Sequence, residues 1–203
     1  MLFRSKRFVD EGADFRNYTY AKYGRVVLNQ PNQMAWQVFD NKIIPNLREE
    51  YRIRQVTKVR ANTLEELAEK MDGVDAKGFL EEVKRYNAAV RTDIPYNPNI
   101  KDGRCTEGLE INKSNWAHRI DEPPFEAYQT TCGVTFTFGG LRIDTEAAVL
   151  DAAEERIPGL YAAGELVGGL FYFNYPGGTG LMAGAVFGKI AGTSAGRAAM
   201  SNQ

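Results

Sequence analysis

The chain has 203 residues, 43% of them hydrophobic, which suits one large or two small globular domains. Its 25 Lys and Arg nearly balance 26 Asp and Glu, which excludes a binder of nucleic acid built on a basic face. No apolar run reaches the roughly 20 residues of a membrane-spanning helix, and residues 1–8 lack the apolar centre of a signal peptide.

Two cysteines, Cys105 and Cys132, make neither a disulfide framework nor a metal motif, so a reducing cytoplasm is the expected location. One histidine, His118, gives no basis for a histidine metal site or a Ser-His-Asp triad, and no metal is expected.

In chain order, residues 6–11 (Lys-Arg-Phe-Val-Asp-Glu) read as a short edge strand with its charges in solvent. Arg16 follows, then Tyr18, Tyr20 and Tyr23 in a polar, aromatic segment that either lines a cleft or stacks inside a core. Residues 34–40 read as a strand with Trp36 and Phe39 partly buried, and Asp40 reads as the cap of a helix over residues 41–51. Thr63-Leu-Glu-Glu66 is a capping box. The helix it opens sets Leu64, Leu67 and Met71 on one face and stops at Gly73 to Asp75. A second helix over about residues 77–91 carries Phe79, Val83, Tyr86 and Val90 as its inner stripe. This pair is scaffold by its ordinary amphipathic pattern. Residues 93–121 are rich in Pro, Asn and Gly and read as a long ordered loop that holds Cys105 and His118.

Residues 123–128 begin a returning sheet, and residues 133–144 alternate as a strand interrupted by Gly139-Gly140. Residues 148–151 form a short hairpin ahead of the next strand. Leu160 to Ala163, opened by Pro158-Gly159, is the short apolar run of a buried strand. Gly164, Gly168, Gly169, Gly177, Gly178 and Gly180 then permit a tight turn and close backbone approach to something flat or anionic. From Thr179 to about Ala199 the pattern is helical, with Leu181, Ala185, Gly188, Ala191 and Ala195 on one face. Those small residues place the face close against a sheet or a ligand. The free N–H groups and positive dipole end of this helix point into the glycine loop.

Pro158-Gly-Leu-Tyr-Ala-Ala-Gly-Glu165, the Gly-Gly loop and Ala185-Val-Phe-Gly-Lys-Ile-Ala-Gly192 together resemble the C-terminal flavin-binding segment of the fumarate reductase/succinate dehydrogenase flavoprotein superfamily. Residues 6–11 resemble that family's Gly-Lys-Arg-Phe-x-Asn-Glu strand, and residues 133–141 its Gly-Val-x-x-Thr-x-Gly-Gly-Leu strand. Asn174-Tyr-Pro-Gly-Gly-Thr-Gly180 is most similar to the tricarballylate dehydrogenase branch. The resemblance implies an α/β (or α+β) fold: the C-terminal part of an FAD-binding two-domain flavoprotein. The family's N-terminal dinucleotide-binding βαβ unit, with its Gly-x-Gly-x-x-Gly, is not found in the sequence. The expectation is therefore a C-terminal portion of a longer enzyme, whether truncated, split or a remnant, with FAD weakly bound or absent in this chain alone. Residues 1–33 would then lie at the junction of cap and catalytic domain, residues 34–122 would hold the strand and helical pair, and residues 123–203 the C-terminal part of the FAD-binding domain.

The chemistry implied is transfer of a hydride between flavin and a carbon next to a carboxylate or carbonyl. It needs a locked flavin, donors for the substrate's oxygens and a proton carrier. Glu165 matches the glutamate that binds the ribityl chain; a salt-bridged surface glutamate is the alternative. Gly178, Thr179, Gly180 and Leu181 match the helix start facing the flavin pyrimidine edge. Gly139 and Gly140 match a second close approach, or else a β-bulge. Thr135 and Phe136 match the substrate side, where fumarate reductases have a histidine at the position of Phe136 and an arginine at that of Tyr175. Neither cation is here, and Tyr175 instead matches a tyrosine of ketosteroid dehydrogenases. Arg16 is expected as proton donor or carboxylate clamp, offset by one residue from the family's arginine.

The leading expectation is a tricarballylate dehydrogenase-like enzyme acting on a small carboxylic acid. The alternatives are a fumarate reductase-like or ketosteroid dehydrogenase-like flavoenzyme, or a non-catalytic fragment that associates with itself or with a missing N-terminal half.

Overall fold

The structure is a computed structural model that describes residues 2–3 and 5–201, with the side chains of Leu2 and Phe3 left out. The chain divides into two compact units: Met1–Arg16 with Tyr23–Cys132, and Asn17–Lys22 with Gly133–Gln203.

The first unit is built on an antiparallel sheet of β1 (Leu2–Phe3), β2 (Lys6–Arg7), β3 (Met34–Phe39), β4 (Lys58–Ala61) and β5 (Phe125–Thr131), ordered β2-β1-β3-β5-β4. Its centre is the pairing of β3 with β5, from Met34 opposite Thr131 to Phe39 opposite Glu126. Two helices, α2 (Leu64–Lys70) and α3 (Ala76–Ala89), supply the apolar cover. Both start where their caps dictate. Thr63 Oγ1 accepts from Glu66 N at 3.1 Å, and Asp75 Oδ2 accepts from Gly78 N at 3.1 Å. The predicted stripe Phe79, Val83, Tyr86, Val90 is buried throughout. Phe79, Val83, Leu67 and Met71 close on Trp36, Ala61, Phe125 and Ala127 to make the main core. Full burial of a side chain such as Phe79 or Leu67 contributes about 1.5–3 kcal/mol.

Residues 93–121 form the expected ordered loop, fixed by side chains that bond to backbone. Asp102 accepts from the amides of Asn97, Arg104 and Trp116, and Arg104 donates to the carbonyls of Ile94 and Ala117.

The predicted helix over residues 41–51 is not formed. Two short 3-10 turns, Ile44–Asn46 and Glu49–Tyr51, stand there instead. Pro45 removes one amide and disfavours helical geometry at Ile44. Asp40 caps only a turn, accepting from Lys42 N at 3.2 Å. A helix that the pattern did not announce, α1 (Arg16–Leu28), covers the tyrosine-rich segment. It has no side-chain cap, which is why no start signal was visible.

The second unit is looser. The short hairpin expected ahead of the Pro158 strand forms with that strand instead: β6 (Ala148–Leu150) pairs antiparallel with β7 (Arg156–Tyr161). Its core is Val149, Ala162 and Val167, with Ile143 packed on them. Residues 133–144 are not a strand. They make only isolated bridges, Leu141 to Val167 and Ile143 to Val149. The apolar run of β7 is not buried either: Leu160 is 44% exposed. The long helix α4 (Thr179–Ser201) begins where predicted, yet none of its residues is buried and Leu181 is 79% exposed. Along it Gly180, Gly184, Gly188, Gly192 and Gly196 recur at every fourth position. The fold mixes helices and strands around an antiparallel main sheet, the α+β side of the expectation. Among the described residues, no helix is long and apolar enough to cross a membrane.

Candidate active site

The second unit gathers most of the candidate residues at the start of α4. Thr179 closes the preceding turn, its amide donating to Pro176 O at 3.2 Å and its hydroxyl to the same oxygen at 2.6 Å. Among the described residues, the amides of Gly180 and Leu181 have no backbone or side-chain acceptor, as the first turn of a helix leaves them. They sit at the positive end of a 23-residue helix with no acidic residue in its first turn. Gly178 just before them is in the left-handed region, φ 90°, with open space where a side chain would point.

Phe136 lies against this helix start. A Cβ added at Gly180 would come within 2.6 Å of the Phe136 ring, so glycine is what lets the ring approach. Phe136 in turn meets Tyr175, with centroids 4.8 Å apart. Phe171, Phe138 and Tyr20 complete a ring of aromatics around Tyr175 at 5.8, 5.9 and 5.4 Å. Tyr175 is buried, 7% exposed. Burial first, then the neighbouring Tyr20 and the negative charge of Glu165, push its pKa up to about 12. It therefore stays a neutral O–H donor at any physiological pH.

Glu165 follows Gly164, another left-handed glycine at φ 85°. Its carboxylate accepts from the Thr137 amide at 2.9 Å and the Thr137 hydroxyl at 3.2 Å. The surface ion pair weighed as its alternative is not what holds it; Thr137 is, a residue that the sequence reading passed over inside the glycine-interrupted run.

The two glycines of that run part company. A Cβ on Gly140 would collide with the Leu166 carbonyl and stand 2.8 Å from Gly168 N. Gly140 is thus required by backbone meeting backbone, where Leu141 N donates to Leu166 O at 2.8 Å and Gly168 N to Leu141 O at 3.0 Å. Gly139 faces open space.

Thr135 is exposed. Arg16 belongs to the first unit, where its guanidinium is exposed and 3.9 Å from Glu50. Phe138, Phe171 and Tyr20 were not singled out as site residues from sequence. Only Tyr20 had left a signal, as one of three tyrosines at the head of α1. Among the described residues no group of three or more His, Cys, Asp or Glu could hold a metal ion, and both cysteines are free.

The unpartnered amides of Gly180 and Leu181 and the open glycine backbone at Gly139 and Gly178 fit a flat ring whose edge carries hydrogen-bond acceptors. FAD has such a ring.

Known proteins are similar to this chain in sequence and in fold. Fumarate reductase (cytochrome) of Shewanella frigidimarina is 32% identical over 97% of this chain, which covers 31% of that protein. 3-Oxosteroid 1-dehydrogenase of Mycolicibacterium smegmatis is 30% identical over 92% of the chain, covering 36% of that protein. The solved open conformation of a flavocytochrome c3 fumarate reductase superposes with a TM-score of 0.69 at 29% identity, over 97% of this chain and 32% of that one. The chain thus spans about a third of the length of these three proteins. Residues 4–181 match the family described as FAD binding domain, so the chain belongs to that family, whose cofactor is FAD.

Proposed function

We propose that the chain carries the flavin-facing and substrate-facing side of an FAD-dependent oxidoreductase acting on a carbon–carbon bond next to a C=O group. The observation that carries this reading is the neutral Tyr175 donor, caged in aromatic rings beside the amide end of α4. Gly139, Gly178, Thr179, Gly180 and Leu181 would hold FAD through backbone, and Glu165, braced by Thr137, would bind its ribityl hydroxyls. When bound, FAD supplies the acceptor or donor of the hydride. Tyr175 donates a hydrogen bond to the substrate's carbonyl oxygen. That bond stabilises negative charge on the carbonyl oxygen. Phe136, Phe138 and Phe171 exclude water from that oxygen, which strengthens the bond.

Two substrate classes compete. Asn174-Tyr-Pro-Gly-Gly-Thr-Gly180 favours a small carboxylic acid of the tricarballylate type. The aromatic cage favours a ketone or enone, and the likeness to 3-oxosteroid 1-dehydrogenase points the same way; the likeness to fumarate reductase favours an enoate. With Phe136 and Tyr175 where fumarate reductases have cations, an uncharged carbonyl is the better match to the lining, because a carboxylate held without paired charge is costly. Arg16 carries no step in this reading.

The test is anaerobic stopped-flow spectroscopy of the FAD-loaded protein. Reduced flavin is mixed with a cyclic enone, fumarate or aconitate, and oxidised flavin with the saturated partners. Flavin reoxidation or bleaching by any of these supports the reaction, and the fastest class names the substrate. A flavin that binds but exchanges no hydride with any of them overturns it.

A further inference from the structure

The backbone just ahead of Tyr175 is strained. Phe173 has φ 63°, in the left-handed region. The Asn174 amide donates back to Tyr172 O at 2.8 Å, which closes a three-residue turn about Phe173. This is the rare, strained form of such a turn, and a bulky side chain at positive φ is an outlier in it. Strain of this kind persists only where the surroundings hold it.

Two hydrogen bonds tie the segment to the head of α1, which lies in the same unit. Asn174 Nδ2 donates to Tyr18 O at 2.9 Å, and Gly177 N donates to Asn17 O at 2.8 Å. Both acceptors are carbonyls of the first turn of α1, and a carbonyl oxygen has a second lone pair to offer beyond a helical bond. A Cβ on Gly177 would stand 3.4 Å from the Asn17 side chain, so glycine suits the close approach. The two bonds grip residues 174 to 177 at either end. Tyr175 lies between them, buried, with the Tyr20 ring edge-on at 5.4 Å. Of the two grips, the one at Asn174 is made by a side chain, so a substitution can remove it. It also sits directly beside the strained residue.

We propose that Asn174 is a positioning residue for Tyr175. Its side-chain amide, tied to Tyr18 O, keeps the turn at Phe173 wound and so fixes the Tyr175 hydroxyl where a substrate's carbonyl oxygen can meet it. The inference rests on the role given to Tyr175 above. Without the bond the turn relaxes, and Tyr175, two residues on, loses its set position. The rings of Phe136, Phe138 and Phe171 hold the Tyr175 ring by shape but have no polar atom with which to direct its hydroxyl.

The experiment compares Asn174→Ala, Asn174→Asp, Phe173→Gly and the double variant Phe173→Gly/Asn174→Ala with the wild type, all in the full chain. Asn174→Asp keeps the shape of the side chain and removes the N–H donor. Tyrosine labelled with 13C at Cζ gives a signal that does not depend on turnover, the Tyr175 resonance being the one missing in Tyr175→Phe. In both Asn174 variants that resonance is expected to move and the Gly177 amide to exchange its hydrogen faster. In the FAD-loaded protein kcat is expected to fall about three- to tenfold with KM nearly unchanged, the size of one net hydrogen bond. Glycine adopts positive φ without strain, so Phe173→Gly is expected to return both the resonance and kcat toward wild type in the Asn174→Ala background. A Tyr175 resonance and a Gly177 amide that stay as they are in both Asn174 variants overturn the proposal. So does a Phe173→Gly change that deepens the Asn174→Ala loss, as a merely structural role for Asn174 would have it. If no carbonyl compound exchanges a hydride with the wild-type protein, the proposed function fails, while the resonance and the Gly177 exchange still decide whether Asn174 sets Tyr175.

Discussion

The two units of this chain spend their apolar residues differently. In the first, Leu67 and Phe79 are fully buried and the helix stripes face inward as their sequence spacing requires. In the second, Leu160, Leu166, Leu170, Leu181, Met182 and Val186 are all exposed, and the core comes down to Val149, Ala162 and Val167 with Ile143. The same residue types that build a scaffold in one unit remain available as surface in the other. Extended exposed apolar surface marks a place where something binds, and here it accompanies the glycine turns and the open helix start.

The sharpest way to break this contrast is to remove one large apolar side chain from each unit. Phe79→Ala is expected to cost about 3–5 kcal/mol, read as a shift in urea midpoint. Leu181→Ala, at 79% exposure, is expected to stay within about 0.5 kcal/mol of wild type by the same measurement. Equal losses would show that α4 is covered after all.

Next in size is Gly140→Ala. With the Leu166 carbonyl in the way of its Cβ, it is expected to destabilise the second unit by about 1–3 kcal/mol, measured as faster hydrogen exchange of the Leu141 and Gly168 amides. Gly139→Ala, facing open space, should leave those amides protected. Tyr175→Phe tests the site rather than the scaffold. It keeps the ring and loses the donor, so kcat is expected to fall about ten- to a hundredfold, or about 1.4–2.7 kcal/mol, with the melting temperature unchanged.

A smaller effect of opposite sign is expected from Gly192→Ala. Nothing stands within 4 Å of its Cβ position, so the variant should gain about 0.5–1 kcal/mol of helix stability, visible as a raised melting midpoint of the far-UV signal.

The smallest effect concerns pH and the first unit. Burial, then the nearby charges of Arg104 and Lys113, lower the His118 pKa below 6.5, and its Nε2 is buried without a partner. A histidine with a depressed folded pKa binds its proton more readily when unfolded. It therefore contributes stability above about pH 6.5 that is lost as pH falls toward the folded value. Melting curves between pH 7.5 and 5 are expected to show this decline in the wild type and a flatter line in His118→Gln.

Legibility in the sequence followed the same divide. In the first unit the capping box at Thr63, the inner stripe of α3 and the loop over residues 93–121 were all readable, because local signals and burial agree there. The failed helix at residues 41–51 was written against by Pro45, whose effect outweighs the capping signal of Asp40. In the second unit, the start of α4 was readable from Thr179, but the pairing of Ala148–Leu150 with the Pro158 strand and the burial were not. Apolar runs there suggested a covered strand and a covered helix face, and β7 and α4 are exposed. For the candidate site, glycine spacing and family likeness singled out Glu165, Tyr175 and the helix start, which the fold brings into one unit. Thr137 and Tyr20 escaped because their partners lie 28 residues away, for Thr137, and across the chain, for Tyr20.

The glycine at every fourth place along α4 has one more consequence. Each glycine inside a helix disfavours it by roughly 1 kcal/mol relative to alanine, and this helix has four beyond its first turn with no buried side chain to offset them. Beyond Gly180 beside Phe136 and Gly184 beside Gly164, nothing stands within 4 Å of the glycine positions along that ridge to support its winding. Under the proposed function, far-UV ellipticity should rise as flavin binds, which would make the helix a gauge of occupancy.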